Sequence, residues 1–102
     1  MKINTKKVFN DFKGEEMKDE KNEVFTLGRV VSNVLAGRVA DPYKGYLLGK
    51  LFATQEEVEV KVEDVAFIKK ELIENGKNPQ GGYNAIVIGQ AIEMIEAPEE
   101  VK

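Results

Sequence analysis

The chain contains no cysteine, no histidine and no tryptophan. Without cysteine there can be no disulfide and no thiolate metal site, which fits a reducing compartment. Without histidine the commonest general base, transition-metal ligand and physiological pH switch are all missing. Ser32 is the only serine. It falls inside a predicted helix with no base beside it, so an activated hydroxyl nucleophile is not expected. Metal binding would fall to oxygen ligands suited to calcium or magnesium. The acidic run Asp19-Glu20-Lys21-Asn22-Glu23 lacks the spacing and central glycine of a calcium loop. The pairs Glu56-Glu57 and Glu63-Asp64 show nothing that would desolvate one carboxyl and split the two pKa values. No stretch reaches the roughly 18–20 apolar residues of a membrane span. Lys2, Lys6 and Lys7 are not followed by an apolar segment, so no signal peptide is expected. The expectation is a non-enzyme with no catalytic, metal-binding or cofactor-binding residues and no membrane partner.

What is present reads as one folded domain over residues 1–102, with 42% apolar and 32% charged residues. The predicted class is α+β: an N-terminal β-hairpin and a short third strand packed with about four short helices. Residues 1–25 form the extended hairpin region, 26–97 are mainly helical and 98–102 are a frayed tail. In the hairpin region, Lys13-Gly14 is the expected first turn, since glycine tolerates the positive φ of a tight hairpin. Residues 19–22 make a second turn. No internal repeat, linker or low-complexity segment is read.

Thr26 caps a first helix whose Leu27, Val30, Val31, Val34 and Leu35 fall on one face. Gly37 is expected in the left-handed position that ends it. Asp41-Pro42 opens the second helix, with Tyr43, Leu47, Leu48, Leu51 and Phe52 as its apolar face. Gly45 and Gly49 lie one turn apart there, each costing about 1 kcal/mol against alanine; either another backbone approaches closely or the helix tolerates them. Residues 57–62 alternate polar and apolar, as a half-buried strand does, and are short enough to pair with the hairpin. A third helix is expected over about 63–75, with Val65, Ile68 and Leu72 inward, stopped by Asn75-Gly76. After a loop at 77–82, a fourth covers 84–97 with Ile88, Ala91, Ile92 and Ile95 as its stripe. Its β-branched first turn can also be read as strand. Pro98 ends it.

Net charge is −3, which argues against bulk nucleic-acid affinity. The charge is uneven. Residues 27–50 carry Arg29, Arg38, Lys44 and Lys50 against Asp41, whereas 55–75 carry seven acids against three lysines. Tyr43 and Tyr46 flank Lys44; Tyr43 is expected to pack inward and Tyr46 outward. Arg29, Arg38, Lys44, Tyr46 and Lys50 are therefore the candidate partner contacts, against the plainer reading of an ordinary solvated face. The loop 78–82 precedes a helix, so its N–H groups could meet an anion. It lacks a Walker lysine and a dinucleotide fingerprint, so it reads as a connection.

Three segments resemble small proteins of tailed phages and prophages: Phe25-Thr26-Leu27-Gly28, the stretch 60–70 from Val60 to Lys70, and Ile86-Val87-Ile88-Gly89-Gln90-Ala91. They span most of the chain in order. The resemblance implies a protein of a bacterial cytoplasm or a virion and brings no catalytic residues with it. It also implies Ser or Thr capping the third helix, where this chain has Lys61. The leading expectation is a non-enzymatic assembly factor or minor structural component. It would bind a phage- or host-encoded protein, or form a homo-oligomer. The alternative is a small nucleic-acid-binding regulator using the first two helices as a helix-turn-helix-like pair. An acidic decoy built on 55–75 is a third reading, weakened by the small net charge.

Overall fold

The computed structural model describes residues 2–96. Its elements run β1 (Lys2–Asn4), α1 (Leu27–Leu35), α2 (Pro42–Thr54), β2 (Glu57–Glu59), α3 (Val62–Gly76) and α4 (Ala85–Glu96). The class is mixed α+β: four helices and a two-stranded antiparallel sheet among the described residues.

The sheet is not an N-terminal hairpin. β1 pairs with β2, more than fifty residues on, in the register Lys2↔Glu59, Ile3↔Val58, Asn4↔Glu57. Alternation explains the pairing: Ile3 and Val58 face inward, and the charged residues beside them face water. The strand expected over 57–62 is cut to three residues. The Lys61 N–H donates to the Asp64 carboxylate at 3.1 Å, so α3 starts at Val62, which is exposed. The Lys61 side chain makes no cap bond.

The turns expected at 13–14 and 19–22 are present, but they join an irregular ribbon held by isolated bridges: Val8↔Thr26, Asn10↔Glu16 and Lys18↔Val24. A short repeat, not read from the sequence, underlies it. Phe9, Met17 and Phe25 recur every eight residues, each central to one segment and each packed on the core. Their backbones are cross-linked, Met17 N–H to Phe9 O at 2.9 Å and Phe25 N–H to Met17 O at 3.1 Å. The ribbon is fastened to α4 by the Gln90 amide, which accepts from the Asn10 N–H and donates to its carbonyl.

α1 is the central helix. Thr26 caps it by accepting from the Arg29 N–H at 3.3 Å. Leu27, Val30, Val31, Val34 and Leu35 are all buried, each contributing about 1.5–3 kcal/mol. α2, α3 and α4 all pack on it. Gly37 does not take the left-handed conformation; its N–H donates to Val34 O at 3.2 Å. Asp41 caps α2, accepting from Lys44 N–H at 3.1 Å. α4 is helical from its first turn, with Asn84 accepting from the Val87 N–H. Ile68 and Leu72 of α3 and Val87, Ile88, Ala91 and Ile95 of α4 complete the core. Glu71 is buried with them, its carboxylate accepting from the Ala40 N–H at 3.1 Å. The Pro98 stop and the 98–102 tail lie outside the described residues.

The buried face of α2 differs from the expected one. Gly45, Leu48, Gly49 and Phe52 face inward, while Tyr43 and Leu47 face out. A Cβ on Gly45 would lie 2.7 Å from Val39 Cγ2 and 3.1 Å from Leu35 O. Gly45 therefore lets α2 approach the end of α1 at backbone distance, whereas a Cβ on Gly49 would make ordinary contacts, 3.4 Å from Leu35 Cβ. A tighter junction than Gly45, and one that joins three elements, is Gly28. A Cβ there would stand 2.5 Å from Phe52 O and 2.8 Å from Thr5 Cβ, and Gly28 N–H donates to Thr5 O at 2.8 Å. Gly28→Ala should cost about 3 kcal/mol, because backbone rather than a flexible side chain would have to move. Gly89, in α4, has open space around it, so Gly89→Ala should stabilise by about 0.5–1 kcal/mol. Urea unfolding of both variants checks the pair; equal effects would refute the junction.

Candidate functional site

The five candidate contacts do not form one patch. Arg29 is half-buried and turned toward the ribbon: its guanidinium meets Asp19 at 2.6 Å and lies 5.1 Å from the Phe25 ring centroid. Phe25 in turn meets Tyr83 edge-on at 6.2 Å, and Tyr83 Oη accepts from Asn33. Lys44 turns toward α3, 3.3 Å from Asp64 and 5.1 Å from the Phe67 centroid. Arg38 is exposed between α1 and α2, on a cleft of about 370 Å³ shared with Glu71 and Glu74. Lys50 lies 5.6 Å from the Tyr46 ring. Only Tyr46 and Lys50 are brought together. The cations answer to different neighbours, so the helix-turn-helix-like reading gains nothing from the packing.

A coherent surface lies on the outside of α2. At about 100° per residue, the inward set Gly45, Leu48, Gly49 and Phe52 spans an arc of about 100°. Tyr43, Tyr46, Leu47 and Lys50 span a similar arc on the opposite side. Tyr43 is 70% exposed, Tyr46 59% and Leu47 41%. The two tyrosine rings are 6.3 Å apart and inclined by 26°. An exposed aromatic pair with a leucine and a flanking lysine can bury apolar area while its hydroxyls keep hydrogen bonds. Tyr43 and Leu47 were assigned inward because the helix carries apolar residues all round, and periodicity alone cannot choose the face. The glycine pair was the signal that could have chosen it.

Phe12 is the other exposed aromatic, 89% accessible, and it was not singled out from the sequence. It sits in the ribbon's first turn, Asp11-Phe12-Lys13-Gly14-Glu15. The second turn, Asp19-Glu20-Lys21-Asn22-Glu23, repeats it eight residues later. In both, an aspartate Oδ1 accepts from N–H groups two and four residues on, at 2.9–3.0 Å. In both, the fourth residue has positive φ, 87° at Gly14 and 66° at Asn22. These are three-residue hairpin loops locked by an aspartate.

Among the described residues there is no group of three or more acids placed to hold a metal ion, and no helix is long and apolar enough to cross a membrane. No family model, curated protein or solved structure matches the chain, so the phage resemblance gains no support from them.

Asp19 is held below its ordinary carboxylate value, first by the Glu23 N–H and then by the Arg29 guanidinium. A carboxyl depressed in the folded state contributes stability above its unfolded pKa, and that contribution is lost as pH falls through the folded value. Asp19→Asn keeps an oxygen acceptor and removes the charge. Its urea midpoint should lie below wild type at pH 7, with the gap closing in acid once the wild-type carboxyl is protonated. A gap independent of pH would show that charge is not what Asp19 contributes.

Proposed function

We propose that this protein acts without catalysis, by docking another protein against the outer face of α2. The observation that carries the reading is the exposure of Tyr43, Tyr46 and Leu47 on a helix already anchored by its opposite side. Tyrosine is favoured where binding energy concentrates, and a stacked pair is partly ordered before contact. Lys50 beside Tyr46 suits a partner whose apolar groove has an acidic rim. The resemblance to small tailed-phage proteins directs the search to phage- or host-encoded partners, as for an assembly factor or minor virion component.

The test places a photoreactive benzophenone amino acid at position 46 in the host cell, with a control probe at the exposed Glu93. Position 46 should give adducts of defined mass that position 93 does not give. Adding Tyr43→Ala and Leu47→Ser should remove them while changing stability by less than about 0.5 kcal/mol, as surface substitutions do. Identical adducts from both positions would end this reading.

A further inference from the structure

Phe12 has no local reason to be phenylalanine. The second turn closes with the same bonds and carries Glu20 at the equivalent place. The first turn therefore holds an aromatic ring in water on a loop that needs none, and its Asp11 bonds fix the backbone beneath the ring, so that little backbone freedom remains to be lost on binding. Around the ring stand Lys13, Glu15 and Glu16, all exposed.

The outer face of α3 offers the matching shape. Ala66, Lys69, Lys70, Ile73 and Glu74 line a groove of about 270 Å³. The groove is shallow and open to solvent, so a ring would lie against it rather than be enclosed. Ala66, Ile73 and the lysine stems form its walls, with Ile73 37% exposed. Lys69 is held by Glu96, whereas Lys70 has no ion pair among the described residues. The charges are complementary: Glu15 and Glu16 of the turn match Lys70 of the groove, whereas Glu74 is already met by Lys77 at 3.8 Å.

We infer that Phe12 of one copy packs against the Ala66–Ile73 groove of a second copy. The two surfaces differ, so the contact is head-to-tail and each copy keeps one free tip and one free groove. Repetition gives a ring or a filament. One ring in one groove buries far less than the roughly 1,200 Å² of a stable interface, so the association is weak and concentration-dependent. It uses neither Tyr43, Tyr46 nor Leu47, so it stands or falls separately from docking on α2.

Light scattering of the purified protein from about 10 μM to about 1 mM, the range of weak contacts, reads it directly. The mean mass should rise with concentration. Phe12→Ala and Ile73→Asp should each weaken association about thirtyfold, the loss expected for an aromatic anchor. Phe12→Ala keeps its groove and Ile73→Asp keeps its tip, so an equimolar mixture should form a capped heterodimer that grows no further. Circular dichroism confirms that each variant folds; if Ile73→Asp does not, Lys70→Glu replaces it, and Glu16→Lys in the other copy should restore binding. A wild type that stays monomeric throughout, a Phe12→Ala variant that assembles like wild type, or a mixture without heterodimer overturns the inference.

Discussion

The structure depends on one close approach, the contact of three backbones at Gly28. There the first turn of α1 passes between the end of β1 and the end of α2 with no room for a methyl group. Thr5 fastens the same point from the other side. Its hydroxyl donates to Gln55 O and Glu56 O at 2.6 and 3.0 Å, and its N–H donates to Glu56 O at 2.8 Å. Those bonds set the distance from the end of α2 to β2 and so fix the register in which Ile3 meets Val58. A two-stranded sheet this short is not stable alone. It persists because its ends are tied to helices that bury a shared core.

The helices were legible because their signals are local. Thr26, Asp41 and the i, i+3, i+4 stripe of α1 act within a turn or two, and the structure uses them as read. The sheet was legible only in part: residues 57–62 read as a strand able to pair with the N-terminal region, but the partner is residues 2–4 and not a hairpin, and nothing within residues 1–25 names residue 58 as the neighbour of residue 3. The repeat of Phe9, Met17 and Phe25 was visible but did not fit alternation, since each ribbon segment sends only one large side chain into the core. An eight-residue spacing is neither the period of a strand nor that of a helix.

The candidate contacts are scattered over the surface for a different reason. Arg29 and Lys44 were chosen for charge, and charge attracts partners within the fold as readily as outside it. Asp19 comes from the ribbon and Asp64 from α3; both are distant in sequence, so the excess of basic residues over 27–50 was a property of the segment and not of the surface. Tyr46 and Lys50 stayed outside because no described element is folded against their face of α2.

That face follows from the glycine pair. A helix carrying Tyr43, Tyr46, Leu47, Leu48, Leu51 and Phe52 has more apolar surface than one side can hide. Burying Gly45 and Gly49 against α1 brings the two backbones close, and Leu48 and Phe52 reach the core from the same side. The geometry that makes α2 pack well therefore forces its largest aromatic side chains into water. A helix that is apolar all round is ordinarily buried all round. Here the fold covers half of it and leaves the other half facing water.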